Sequence, residues 1–277
     1  MTQEAKFALL KVKKKVGVPS VSTSAKQWAS DLASWGIPQE ILDRAPTSPW
    51  IHPPALFFVP QEIPTTVSHE LARQALDHGG SILDVGCGGG IAAFAASPPA
   101  THVIGVDHQE EMLAMFASEA QSRGITHEEF LGDWPEVTNN VPIADVVTCH
   151  HVVYNVSRIV PFINALDDHA RKRVIIEIPH RHPLAMMAEA WKHFWNLDRP
   201  TNPTSEDLLA IVRDLGFNAQ MSNWESQLGR EIPFEQQVEF MRIRLCLPES
   251  RDNEVAQFLR SQTETKTRIL STIWWDK

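Results

Sequence analysis

The spacing of apolar residues changes rhythm near residue 81. Before it, Ser24 to Leu42 places apolar side chains at Trp28, Leu32, Trp35 and Ile41–Leu42, which predicts a helix with one apolar face. Pro46 to Pro64 holds Trp50, His52, Pro53 and Pro54. Prolines fix φ and remove donors, so an extended connector is predicted there. Thr66 to His78 reads as a helix that stops at Gly79–Gly80. From Ser81 onward, short apolar runs alternate with helical patterns. The predicted strands are Ser81–Val85, His102–Asp107, His127–Leu131, Ala144–Cys149 and Arg173–Ile178, with helices at Glu110–Arg123 and Ser157–Ala170. Apolar strands joined by helices of this length imply βαβ units and a parallel sheet covered on both faces.

Beyond Ile178, helices are predicted at Pro183–Leu197, Ser205–Leu215, Pro233–Leu245 and Arg251–Ser261. Phe217–Trp224 and Thr267–Trp275 supply two more strands. The fold class that follows is α/β, a doubly wound, mostly parallel, seven-stranded sheet with helical insertions. Residues 1–65 form an N-terminal helical extension and proline-rich connector. Residues 66–277 form the main domain, with helical covers around 183–204 and 230–262. Residues 1 to about 22 are basic and loosely amphipathic, a solvated arm by default.

Composition narrows the function. The chain has 277 residues, 43% apolar and 21% charged, which suits a soluble globular protein. The net charge of −9 argues against nucleic acid as the main substrate, since phosphate binding needs a basic surface. Cys87, Cys149 and Cys246 are far apart and show no metal-ligand spacing. No run approaches the roughly 20 apolar residues of a membrane span, and no apolar segment follows the N-terminal lysines as in a secretory signal. The expectation is a cytoplasmic protein without a membrane partner, its oligomeric state open.

The most informative run is Leu83-Asp84-Val85-Gly86-Cys87-Gly88-Gly89-Gly90, between a strand and a helix. Glycines at such a turn let the backbone bend tightly and let a ligand approach closely. The dinucleotide pattern GxGxxG needs a third glycine at position 91, which is Ile91; Gly86, Gly88 and Gly90 make GxGxG instead. Asp84 brings a carboxylate to the strand end, unfavourable for a pyrophosphate and favourable for a ligand with an amino group or sulfonium. Asp107 ends the next strand, where a carboxylate accepts from ribose hydroxyls or caps the following helix.

Together, Leu83–Gly90, Asp107 with Glu111-Met112-Leu113, Gly132-Asp133-Trp134 and Ala144–Tyr154 resemble the successive motifs of class I S-adenosylmethionine-dependent methyltransferases, over about residues 66 to 180. The small-molecule members with helical insertions are the most similar. The resemblance implies S-adenosylmethionine as cofactor and a small-molecule acceptor. It implies that Gly86, Cys87, Gly88 and Gly90 hold the methionine part, beside Asp84. Asp107 takes the ribose, Asp133 the adenine amino group, and Trp134 lies against the ring. His108, Met112 and Gly132 belong to the same set, and Cys149 and His150 line the cofactor beside the reacting methyl. Two rival readings stand against this: a non-catalytic S-adenosylmethionine-binding protein, and a nicotinamide-dependent oxidoreductase, the latter opposed by Ile91 and Asp84.

Methyl transfer needs a base only when the nucleophile starts protonated. His150, His151 and Tyr154 are the candidates for chemistry. Each histidine acts as a base or shapes the pocket wall, and Tyr154, the chain's single tyrosine, orients a ligand or packs with its hydroxyl satisfied. Glu177, His180, Arg181 and His182 end the fifth strand. Their spacing is no recognised metal-ligand pattern, and a substrate-facing wall is expected, with no metal. Trp50, His52, His180, Arg181, Trp191 and Trp195 are the candidate substrate contacts, the last two on an expected lid.

Overall fold

The computed structural model describes residues 23–50, 58–76, 79–226, 233–262 and 268–277. His52 and the basic arm lie outside them. Seven strands form one sheet in the order β3-β2-β1-β4-β5-β7-β6. They are β1 (Ser81–Val85), β2 (His102–Asp107), β3 (Thr126–Leu131), β4 (Ala144–His150), β5 (Ala170–Pro179), β6 (Gln220–Ser226) and β7 (Arg268–Asp276). The first five are parallel. β7 runs antiparallel to both β5 and β6 and slots between them. The doubly wound, mostly parallel sheet is as the periodicity implied.

Alternation of large apolar residues explains the two cores. Leu83, Ile104, Val147, Val174 and Ile176 point to one face and Ile82, Val103, Val146 and Ile175 to the other. On the first face lie α1 (Thr23–Ser34), α6 (Ile159–Asp168) and α8 (Ser205–Asp214). On the second lie α3 (Val67–Leu76), α4 (Ile91–Ala95) and α5 (Glu110–Arg123). Both faces are dry, so these strands read as continuous apolar runs. The crossovers leave β1 toward opposite sides at β2 and β4, and a crevice opens outside the carboxyl ends there.

A third core stands apart from the sheet. Ile37, Ile41, Trp191, Val238, Leu245, Leu247 and Val255 meet between α2 (Gln39–Leu42), α7 (Ala188–Trp195), α9 (Phe234–Arg244) and α10 (Asp252–Ser261). Among the described residues, no helix is long and apolar enough to cross a membrane.

Three boundaries differ from expectation, each for a local reason. The predicted helix Ser24–Leu42 is two helices, because Gly36 and Pro38 interrupt it. Pro183–Met187 is a 3₁₀ turn that precedes α7, not its first turns. The sixth strand starts at Gln220 rather than Phe217, since Phe217 is taken into the core of the first face against Trp275.

Candidate active site

The glycine-rich turn leaves β1 and folds back on β2. Gly86 and Cys87 N–H groups both donate to the Val106 carbonyl, at 2.8 and 3.0 Å. The turn needs glycine twice over. Gly86 has φ +72°, and a Cβ there would lie 2.3 Å from Val152. Gly90 has φ +94°, and its Cβ would lie 2.3 Å from the Phe94 ring. Gly90 immediately precedes α4, so the turn delivers the chain into a helix start.

Asp107 locks this turn to β2. Its Oδ2 accepts from the Gly88 N–H and its Oδ1 from the Gln109 N–H, both at 3.0 Å. Each carboxylate oxygen has a second lone-pair direction, so two further donors can be accommodated. The helix-cap role and the ligand role of Asp107 are therefore compatible. Asp84 is fully buried. Thr148 Oγ1 donates to its Oδ1 at 3.1 Å, and the Ala93 N–H in the first turn of α4 also points to the carboxyl. Burial pushes Asp84 up to about 7, against those two donors. Burial likewise pushes the thiols of Cys87 and Cys149 well up, so both are inert neutral side chains.

A cavity of about 250 Å³ opens outside the ends of β1, β2 and β3. Gly86, Asp107, His108, Gly132, Asp133, Trp134 and Val152 are among its walls. Of the residues expected to meet the cofactor, Asp84, Cys87, Gly88, Gly90, Met112, Cys149 and His150 are not in its lining; all but His150 are buried. Trp134 is fixed by its indole N–H, which donates to the Phe162 carbonyl at 3.3 Å. The cavity is acidic, with Asp107, Asp133 and Glu136 in its lining against Arg158, which lies 3.8 Å from Glu136. A pyrophosphate finds repulsion here, whereas ribose hydroxyls, an amine and a sulfonium find acceptors. This set of acceptors therefore fits S-adenosylmethionine.

Residues 82–172 match the model of the methyltransferase domain family. The chain carries a methyltransferase domain, and its activity is that of an S-adenosylmethionine-dependent methyltransferase. It is 28% identical over 190 residues to the ubiquinone biosynthesis O-methyltransferase of Aeromonas salmonicida (strain A449), spanning 59% of this chain and 77% of that one. Two solved structures share the fold. A putative methyltransferase from Bacillus halodurans C-125 has a TM-score of 0.53 at 16% identity, covering 76% of this methyltransferase and 98% of its own chain. The YcgJ protein of Bacillus subtilis has a TM-score of 0.52 at 17% identity, covering 76% and 97%.

The remaining candidates separate into two groups. At the carboxyl ends of β4 and β5, His150 and His151 meet the buried Glu177. Neither histidine forms part of the cavity wall, although the next residue, Val152, does. The enzyme brings His69 from α3 to the same place, its ring stacked 5.7 Å from that of His150. Nothing in the sequence pattern signalled His69, because the contact joins residues 81 positions apart.

The second group ties elements together. Tyr154 donates to the Pro179 carbonyl at 2.9 Å and stacks on Trp28 of α1, so its hydroxyl is engaged and burial pushes it up. His180 meets Ser205 and Glu206 at the start of α8. Arg181 pairs by backbone with Thr204 and is exposed. Trp191 is 1% exposed in the third core, and the Trp195 indole donates to the Leu245 carbonyl at 2.7 Å. Trp50 is half exposed.

Proposed function

We propose that this methyltransferase acts on a small-molecule acceptor, in a soluble setting without nucleic acid. The acidic cavity and the net charge of −9 support that reading, since both repel a polyphosphate chain. The similarity to an O-methyltransferase of ubiquinone biosynthesis supports a small organic acceptor as well. The single observation that carries the cofactor assignment is Asp107 facing the cavity while its Oδ2 braces the glycine turn at Gly88 and its Oδ1 the Gln109 N–H before α5.

Bound S-adenosylmethionine supplies an electrophilic methyl group on a sulfonium. The residues then divide the work of holding it. Asp107 accepts from the ribose, Asp133 from the adenine amino group, and the indole of Trp134 walls the ring. The Gly86–Gly90 backbone admits the methionine part where a side chain would block it. Val152 presses on Gly86 and so sets how close the β4 end comes to the turn. Trp28 of α1 donates to the Val156 carbonyl at 2.9 Å, and Val156 is a cavity wall residue, so the N-terminal helix steadies the rim. Holding both reactants in line contributes to the rate of such a displacement by removing the cost of bringing them together.

The test is a melting-temperature shift with S-adenosylhomocysteine, followed by a small-molecule screen that reads S-adenosylhomocysteine release. A ligand that binds only the native state must stabilise it. A rise with the adenosyl ligand and none with a nicotinamide dinucleotide is expected; the reverse pattern sinks the reading.

A further inference from the structure

Glu177 is 4% exposed at the end of β5 and has no part in the cofactor cradle. A buried carboxylate is costly unless partners repay its lost hydration. Its partners come from three elements. Oε1 lies 3.3 Å from His151 Nε2 and 4.0 Å from His150 Nδ1, both at the β4 end. Oε2 accepts from Thr66 Oγ1 at 3.3 Å, at the start of α3. Arg268 of β7 adds a nearby positive charge. Burial opposes ionisation of Glu177, yet His150, His151 and the Ser68 hydroxyl outweigh it and hold the carboxyl well below its ordinary range.

The three histidines around it are not equivalent. Burial lowers His150 to about 4 and lowers His69 as well, so both stay neutral at physiological pH and form a stacked wall. The His151 side chain is 44% exposed, so among them it is the one a second substrate can touch. It is also held in an uncommon way. Its φ is +62°, a left-handed conformation that residues other than glycine rarely adopt. Its backbone N–H donates to the Glu177 carbonyl at 2.7 Å, so main chain and ring are both pinned to the same residue. With Nε2–H aimed at Glu177, the ring nitrogen left over as an acceptor is Nδ1. The following residue, Val152, is part of the cofactor cavity.

We propose that His151, oriented by Glu177, is the general base of this enzyme, and that the acceptor is a hydroxyl compound of phenol-like acidity. This rests on the methyltransferase reading above. His151 Nδ1 takes the O–H proton as the oxygen lone pair forms the new C–O bond to the methyl carbon. The methyl–sulfur bond breaks with its electron pair left on sulfur, giving a neutral thioether. Glu177 stabilises the imidazolium, which then loses its proton to water through its exposed side. A standing phenolate is disfavoured beside the Glu177 carboxylate, so proton removal coincides with bond formation, and a positioned base serves that need. An aliphatic alcohol is too weak an acid for an imidazole partner, and a carboxylate acceptor needs no base.

Two measurements decide. Long-range ¹H–¹⁵N spectra of the S-adenosylhomocysteine complex report which His151 nitrogen carries the proton. The wild type should show the Nε2–H form, Glu177→Gln should scramble it, and Glu177→Asp should restore it in part. A proton on Nδ1 in the wild type, or a spectrum that Glu177→Gln leaves unmoved, overturns the proposal. In parallel, ring-substituted phenols and the matching anilines are assayed by S-adenosylhomocysteine release. His151→Gln should lower kcat on the phenols by about 10²- to 10⁴-fold, keep S-adenosylhomocysteine affinity within about twofold, and recover activity with more acidic phenols or at higher pH. Unchanged turnover in His151→Gln, or a wild type that methylates anilines but no phenol, or neither, overturns it. Failure of the wild type to bind S-adenosylhomocysteine would instead refute the underlying methyltransferase reading.

Discussion

The carboxyl edge of the parallel sheet and the helical cover are built by opposite means. At the sheet edge, backbone conformation dominates: Gly86, Gly90 and His151 all have positive φ, and Asp84, Asp107 and Glu177 are buried carboxylates. In the cover, side-chain packing dominates: Trp191, Leu245, Leu247 and Val255 are each 1% exposed or less. The edge spends stability on placing charges and acceptors around a ligand. The cover gains stability from apolar contact and holds Trp195 and Trp191 inside itself rather than on the cavity wall. The difference teaches that aromatic richness and ligand contact are separate properties in this enzyme. The candidate cofactor cradle lies where the chain is glycine-rich and acidic.

The sharpest way to break this comparison is to empty the cover. Trp191→Ala should lower stability by about 3–5 kcal/mol in denaturant unfolding, because a large buried ring leaves a cavity behind. Cofactor affinity of the protein that remains folded should stay within about threefold by calorimetry. An equal collapse of affinity would show that the two regions are one unit.

The next effect has the opposite sign. Asp84 titrates near 7 in the folded enzyme and near 3.8 as a free carboxyl. Its folded form thus binds the proton more tightly, so its contribution favours the fold at low pH and is lost as pH rises from about 4 to about 7. Asp84→Asn should remove that loss and gain up to about 4 kcal/mol above pH 7, at 1.36 kcal/mol per pKa unit. Comparing variant and wild-type stability at pH 5 and pH 8 cancels the opposite trends from His150 and His182, both lowered to about 4 chiefly by burial. A difference that does not change with pH would mean that Asp84 stays ionised in the fold.

Two smaller effects sharpen the sheet-edge side. Gly86→Ala sets a Cβ against Val152 in a left-handed turn and should weaken S-adenosylhomocysteine binding by about 100-fold, as a misplaced cradle does. Wild-type affinity in that variant would mean the turn is softer than its contacts imply. Asp107→Ala should weaken the same binding by about tenfold or more, through lost charge-assisted hydrogen bonds. Unchanged affinity would remove Asp107 from the ligand contacts and leave it as a brace for Gly88 and Gln109.

Much of this is legible in the amino-acid sequence. Alternation of Ile82 with Leu83 and Val103 with Ile104 announces strands buried on both faces, and the Gly86–Gly90 run announces the turn. Asp107 announces itself by ending a strand, and Asp133 by its place in the Gly132-Asp133-Trp134 motif of the resemblance. Other parts were not legible. The pairing of Glu177 with His151 and the stacking of His69 on His150 join distant segments, and no local spacing encodes them. Trp191 reads the same from the sequence whether it faces a ligand or a core.

What the sequence by itself determined is what repeats at short range: strand and helix periods, where glycine must turn the chain, and which carboxylates end which strands. These depend on steric limits and side-chain alternation within a few residues. The tertiary structure alone decided that β7 inserts antiparallel between β5 and β6. It decided that the cover forms its own core, and that Glu177 collects three histidines of unequal exposure. Those outcomes depend on burial and charge summed over segments about 30 to 110 positions apart.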